Sequence, residues 1–406
     1  MGHLRFLTAG ESHGKALTVI VEGLPAGLPL GAAHVDRDLA RRMQGHGRGA
    51  RMKIEQDRVE WLAGVRAGET LGSPVAMLVP NRDWANWEDV MAAEGTPGEA
   101  RRRRVTRPRP GHADLAGVLK YDRTDARDIL ERASARETVA RVAAGALARR
   151  LLEEFGVEVG SHVVSLGGLV ASRPDPLPAP LNAASDRSPV RVLDAATEAE
   201  IIGRIDAAKR DGDTLGGEVE VVARGLVLGL GSHVHWDRKL DGRLAAMLMS
   251  IPAVKGVEIG LGFEAARRPG SAVHDPIAAD RGRDAAGGFR RLSNNAGGLE
   301  GGMTTGEPLV VRVAMKPIST LMAPLKTVDL GTGREAQAQS ERSDVTAVPA
   351  MGVIAEALVC LVLADAMLEK FGGDSLTEMR RNVTGYLAGL GARWEALDRS
   401  AAEAEG

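Results

Sequence analysis

Two short alternating runs open the chain, Leu4 to Thr8 and Leu17 to Val21, with the polar turn Gly10-Glu11-Ser12-His13-Gly14 between them. Alternation at every second residue predicts strands, and the small polar residues between predict a turn on which a reactive side chain can be presented. From Asp36 to Met43 the pattern becomes helical, then enters Gln44-Gly45-His46-Gly47-Arg48-Gly49-Ala50-Arg51, where repeated glycine permits backbone shapes closed to other residues. The clearest helix is expected from Glu137 to Phe155: Val139, Val142, Ala146, Leu147 and Leu151 share a face, and Gly156 follows. Ser134 and Glu137 read as its capping box.

Further along, Glu218 to Val222 alternates as a strand, Arg238 to Met249 reads as a helix, and Gly256 to Gly260 returns to strand. The words GVEVG at Gly156 and GVEIG at Gly256 each follow a helix, which hints at a repeated helix-strand unit. Ser172 to Ser188, rich in proline, alanine and aspartate, reads as a surface excursion. Arg267 to Gly302 lacks periodicity, and a loop of that length in a compact protein is functional or disordered; it is the expected lid. The most apolar stretch, Ala350 to Phe371, contains Glu356, Asp365 and Glu369 and ends at Gly372-Gly373, as a buried helix with a glycine cap does; a membrane span is not expected. The tail after Leu397 is expected to fray.

Composition narrows the class. Hydrophobic residues form 44% and charged residues 26% of 406, the balance of a globular protein long enough for two ordinary domains or one large α/β unit. A formal net charge of -2 leaves no general field for polyanions, so attraction for anions must come from local arginine clusters. Cys360 lies in an apolar run and reads as a small buried hydrophobe. The N-terminus has no apolar stretch behind a basic start, which predicts a cytoplasmic protein.

Candidate chemistry gathers in GESHG around His13, in RPRPGHAD from Arg107 to Asp114, and in Arg342-Ser343-Asp344. Histidine, with a solution pKa near ~6.5, exchanges protons at neutral pH, and neighbouring glycine or proline fixes its ring. Arginines recur at Arg42, Arg48 and Arg51, from Arg101 to Arg104, at Arg107, Arg109, Arg132, Arg136 and Arg342. Guanidinium forks match phosphate and carboxylate. The run Arg101 to Arg104 reads first as a solvated face, whereas arginines framed by glycine invite a binding role.

These words in this order, together with RGARMKIE from Arg48, SARET from Ser134, GVEIG from Gly256 and GLEGGM from Gly298, resemble the chorismate synthase family from about residue 4 to residue 370. The resemblance implies an α/β (α+β) fold, a β-α-β layered sandwich with helices packed between two antiparallel sheets, as a single domain over 1–406 with a flexible tail from about 398. It also implies a homotetramer. The implied activity is anti 1,4-elimination of phosphate from 5-enolpyruvylshikimate 3-phosphate to give chorismate, with reduced FMN required and no net redox change.

Position by position, the resemblance implies that His13 sits by the reduced flavin, that His112 protonates the leaving phosphate, and that Asp344 takes a flavin proton. For FMN it points to Ser134, Ala135 and Arg136, to Pro252 and Ala253, to Gly301, to Lys316, Pro317, Ile318, Ser319 and Thr320, and to Arg342. Pro252 stands where many relatives carry an amide, and Ser319 where many carry proline. Arg42, Arg48, Arg51 and Arg107, with Arg136 and Arg342, are the expected lining for the substrate's phosphate and carboxylates, and Arg42 and Arg48 also align with NADPH positions of some members. NADPH is therefore a candidate reductant, although no separate G-x-G-x-x-G fingerprint follows a strand, which favours an external source. A nucleic-acid binder built on Arg101 to Arg109 lacks interleaved aromatics, at 3% of the chain. A metal hydrolase built on His233 and His235 lacks a third ligand with recognisable spacing. The expectation is thus no nucleic acid, no membrane and no metal.

Overall fold

The computed structural model describes residues 3–49, 56–94, 103–280, 282, 287–340 and 343–405, side chains beyond 393 excepted. The expected opening hairpin forms from Arg5–Ala9 and Ala16–Glu22, antiparallel with Leu7 opposite Ile20. Val75–Pro80 and then Glu60–Ala63 extend it to a four-stranded sheet. Period-two patterning aims Leu17, Val19 and Val21 into the core, each 1% exposed, while Ile20 points away at 41%.

A second antiparallel sheet has the order Val254–Ile259, Leu309–Met315, Gly217–Arg224, Glu158–Leu166, Leu169–Val170. Helices Thr138–Glu153 and Val348–Phe371 pack on each other between the two sheets, and Ala32–Met43 lies alongside them. The layered sandwich expected from the resemblance is the observed architecture.

Position between two sheets explains why the helix Thr138–Glu153 is buried around most of its circumference instead of on the single face read from its period. Its crossing with Val348–Phe371 is so close that a Cβ at Gly145 would lie 2.5 Å from both Cβ and the carbonyl oxygen of Ala357. The helix Val348–Phe371 is long and apolar enough to span a membrane, and 94% of its most apolar window is buried inside the protein. Gly372, at φ 56°, ends it. Burial pushes the Cys360 thiol up to about 12, which keeps it protonated at neutral pH.

That helix also carries Glu356 into the interior. Its carboxylate accepts from Arg41 (2.9 and 3.0 Å), Arg149 (2.7 Å), Arg191 (3.0 Å), Ser161 Oγ (2.6 Å) and Asn182 Nδ2 (3.0 Å). Burial alone would raise its pKa; the surrounding guanidiniums hold it well below the ordinary carboxylate range.

Several local expectations need correcting. The capping box does not form: Ser134 accepts from Arg136 N at the start of the short turn Ala135–Glu137, and Glu137 instead pairs with Arg141. The excursion Ser172 to Ser188 is only partly superficial, since the helix Leu181–Ser185 buries Leu181 and Ser185. Arg267 to Gly302 is not structureless; it holds the hairpin Ile277–Ala279 with Phe289–Arg291, although 281 and 283–286 lie outside the described residues. The two GVE words differ in role: Gly156 precedes its strand at φ +73°, whereas Gly256 sits inside its strand beside a register shift. The helix Leu376–Glu405 runs on through the stretch after Leu397, and helix ends fray.

The second sheet offers a test of pH dependence. Glu220, 1% exposed, accepts from Arg173 Nε at 2.8 Å and contacts His162 Nε2 at 3.2 Å. Burial opposes ionisation, but these hydrogen bonds bring its pKa down to about 2. A depressed carboxylate pKa stabilises the fold above the unfolded value, near ~4.3, and that contribution fades as pH falls towards 2. Glu220→Gln is expected to cost about 2–3 kcal/mol at pH 7, with the gap to the parent narrowing between pH 4.5 and 2 when urea unfolding is measured across that range.

Candidate active site

His13 stands on the turn of the opening hairpin, and the turn is pinned on both sides. Ser12 N donates to Glu131 O (2.9 Å), and the buried Asn81 donates to Ser12 O (3.3 Å) and Gly14 O (2.9 Å). Gly10 makes the entry, with φ +107° and no room for a Cβ, which would lie 2.4 Å from Ala16 O. The imidazole Nδ1 lies 2.9 and 3.0 Å from the Glu131 carboxylate oxygens, and the ring stacks on Trp87 at 3.8 Å between centroids. Arg127 Nη1 donates to the same carboxylate at 2.9 Å. Against the opposing effect of burial, these partners keep the Glu131 pKa below its ordinary value.

His112 lies in the loop that feeds the helix Asp114–Lys120. Its Nδ1 is 2.5 Å from Oδ1 of Asp114, which is fully buried. Arg109 grips the same carboxylate through its backbone N (3.0 Å), Nε (2.8 Å) and Nη2 (3.1 Å), and its Nη1 donates to Thr320 Oγ1 (2.8 Å). Burial would raise the Asp114 pKa, yet the His112 and Arg109 hydrogen bonds carry it well below the carboxylate range. A fixed anion therefore supports the imidazole.

Asp344 comes from the far end of the chain, just before the helix Val348–Phe371. It accepts from Gly49 N at 2.6 Å and pairs with Arg48 at 3.1 Å, and Val345 N donates to Gly47 O at 2.8 Å. The glycine loop is thus sewn to the segment that carries Asp344.

The three meet around a cavity of about 430 Å³, within the usual range for small-molecule sites. Ser134, Ala135, Pro252, Ala253, Lys316, Ile318, Ser319 and Thr320 line it, together with Arg109 and Gly111. Lys316 is the lining ammonium, with its pKa lowered by burial and by Lys255.

Other expected residues lie elsewhere. Arg42 is 4% exposed and spends its guanidinium on Thr138 Oγ1 (3.0 Å) and Ala135 O (2.9 Å), and burial brings it down to about 10. Arg136 turns to Asp57 (2.9 Å). Arg48 lines a neighbouring cavity of about 850 Å³ that shares Thr320, Ser343 and Asp344 with the first. Gly301 sits on the turn between Leu299–Glu300 and Met303–Thr304, near His233, and is not in the cavity wall. Pro317 is also absent from that wall, and Arg107 is exposed while Arg109, two residues on, faces inward. Arg51 and Arg342 lie outside the described residues. A separate cleft of about 880 Å³, with Glu131, Arg103, Arg123 and Asp128 in its wall, includes neither His112 nor Asp344.

Glu131, Trp87 and the inward turn of Arg109 join the site without a local signal in the sequence. Asp114 was visible inside its word, without a role.

Known proteins share this arrangement of chain. A family model described as chorismate synthase matches residues 4–368. The chorismate synthase of Symbiobacterium thermophilum is 60% identical over 396 residues, which is 96% of this chain and 100% of that one. That of Streptomyces coelicolor is 59% identical over 400 residues, covering 97% and 100%. A crystal structure of chorismate synthase superposes with a TM-score of 0.76 at 42% identity, over 96% of this chain and 98% of the other. With whole-length identity of this order and a shared fold, the chain belongs to the chorismate synthase family and is a carbon-oxygen lyase.

Proposed function

We propose that this chain, acting as one unit over 1–406, eliminates phosphate from 5-enolpyruvylshikimate 3-phosphate in the anti 1,4 sense to give chorismate, with reduced FMN and no net redox change. The supporting observation is the convergence of His13, His112 and Asp344 on a cavity whose wall also holds Lys316 and Thr320. When bound, the reduced flavin supplies electron density to a reaction whose departing hydrogen is not acidic.

The residues present fit such a group. Gly111, Ala113, Ala133, Ala135 and Ala253 leave a smooth wall suited to a flat ring, and Lys316 supplies a cation for a phosphate. Ala253 holds φ at 70°, a left-handed shape rare outside glycine, and its carbonyl accepts from Lys316 N at 3.0 Å. Ser134, Ala135, Pro252, Ala253, Lys316, Ile318, Ser319 and Thr320 would hold it.

The chain's own groups then divide the work. His112, anchored by Asp114, donates a proton to the departing phosphate, with the Arg109 guanidinium beside it. His13 is the second proton donor at the cavity wall. Asp344 takes up a proton there, its carboxylate held in place by Arg48 and the Gly49 amide. Of the two arginines aligned with NADPH positions, Arg42 is committed to Thr138 and Ala135, which favours a reductant supplied from outside. The outer face of the first sheet exposes Leu7, Ile20 and, at its edge, Leu62, an apolar surface suited to packing in a homotetramer of a cytoplasmic enzyme.

An anaerobic assay with dithionite-reduced FMN tests this reading. Phosphate release matched by chorismate absorbance is expected, and neither is expected with oxidised FMN alone. Turnover that proceeds equally without flavin would refute it.

A further inference from the structure

We infer that Glu131 and Asp114 are positioning residues that hold the proton of each active-site imidazole on Nδ1, so that Nε2 is the ring atom that exchanges protons with the cavity. The inference rests on the function proposed above for the cavity, but its central observable is independent of turnover.

Donor and acceptor counting carries it. The Glu131 carboxylate faces Arg127 Nη1, the His13 backbone N–H at 2.9 Å from Oε2, and His13 Nδ1 at 2.9 and 3.0 Å. An ionised carboxylate only accepts, so a short contact to a ring nitrogen requires the proton to be on that nitrogen. At Asp114 the approach is closer still: 2.5 Å separates Oδ1 from His112 Nδ1. Arg109 Nη2 lies 3.1 Å from His112 Nδ1 and 3.5 Å from Nε2; it donates to Oδ1 at 3.1 Å, so beside Nδ1 it is a second donor sharing that acceptor, and its longer approach to Nε2 is compatible with a lone pair there. The two carboxylates are 2% and 0% exposed, so little water is present to take the place of either. Two elements far apart in sequence have thus arrived at one device, a buried anion behind each imidazole.

Amide substitutions test the device sharply because an amide has a single acceptor oxygen. In Asp114→Asn, the backbone N and Nε of Arg109 at 3.0 and 2.8 Å claim that oxygen, and the NH2 group is turned towards His112 Nδ1. The ring must then accept at Nδ1 and carry its proton on Nε2. In Glu131→Gln the geometry differs: Nδ1 lies 3.0 and 2.9 Å from the two oxygen positions, so the single amide oxygen, whether it stays with Arg127 or with the His13 amide, still accepts from Nδ1–H.

The experiment is ring ¹⁵N spectroscopy of full-length protein labelled at histidine, above the pH at which the rings titrate, with His13→Gln and His112→Gln spectra for assignment. Both wild-type rings are expected as the Nδ1–H form. Asp114→Asn is expected to convert His112 alone to the Nε2–H form, and Glu131→Gln to leave both rings as Nδ1–H. Asp114→Asn should lose about 100-fold or more in kcat, with the dissociation constant for reduced FMN within a factor of a few of the parent. Glu131→Asp, which keeps an acceptor-only partner, should retain the Nδ1–H form. Wild-type rings protonated on Nε2, or an Asp114→Asn protein whose His112 stays in the Nδ1–H form, would overturn the inference. An enzyme with the expected tautomers that fails to release phosphate would instead overturn the proposed function.

Discussion

Alanine at His112 is expected to lower kcat by about 10²–10⁴-fold, the range for loss of a positioned general acid. Phosphate is a poor leaving group while its charge is uncompensated, and His112 is the cavity imidazole backed by a fully buried carboxylate. The fold should tolerate the change. Asp114 keeps the backbone N, Nε and Nη2 of Arg109 as donors, so no buried anion is stranded, and Arg109 keeps Thr320. Lys316, the cation proposed for the flavin phosphate, is untouched. The expected signature is therefore a fall in kcat with little change in reduced-FMN affinity, and partial recovery by added imidazole. Phosphate release under anaerobic conditions measures it; a kcat within threefold of the parent would remove His112 from the chemistry.

The second large effect concerns stability. Glu356→Ala is expected to destabilise the protein by about 3–5 kcal/mol, because it removes one partner from a buried ionic cluster and leaves the others in place. Arg41, Arg149 and Arg191 all converge on Glu356; Asp38 and Asp186 remain as counterions and bound the loss. The cavity left by the side chain adds to it, since the site is closed between the helix Val348–Phe371 and the strand carrying Ser161. Urea unfolding at pH 7 reads the difference. A loss under 1 kcal/mol would mean that the arginines find other partners or water.

Much of the fold was legible because its signals are local. The opening hairpin announces itself through alternation and a turn of small polar residues. The central helix announces itself through an apolar run ending in glycine. What stayed hidden depended on elements meeting in space. The helix Thr138–Glu153 shows one apolar face by period, yet it is enclosed on several sides because a second helix and two sheets close over it. Gly145 looks like an ordinary weak position until Ala357 arrives beside it.

The same division holds in the site. His13, His112 and Asp344 were legible through the words that contain them, each in a loop bounded by small or rigid residues. Their supports were not. Glu131 lies in Arg127–Ala133, a short charged helix with no local mark of a buried carboxylate, and its burial follows only from the hairpin turn packed against it. Arg107 and Arg109 flank one proline and look equivalent; the structure exposes the first and closes the second onto Asp114 and Thr320. Arg42 and Arg136 were read as free forks for a ligand, whereas Thr138, Ala135 and Asp57 engage them.

The proposed reaction requires a single cavity in which cofactor and substrate meet. A crystal structure of the chain with FMN and 5-enolpyruvylshikimate 3-phosphate reads this directly. The expected result is the ring against Ala135 and Ala253, the flavin phosphate near Lys316, and the substrate between the ring and His112, with Asp344 at the ring edge. Either ligand seated instead in the cleft beside Arg103 and Arg123, with the His13 to Asp344 cavity empty, would contradict it.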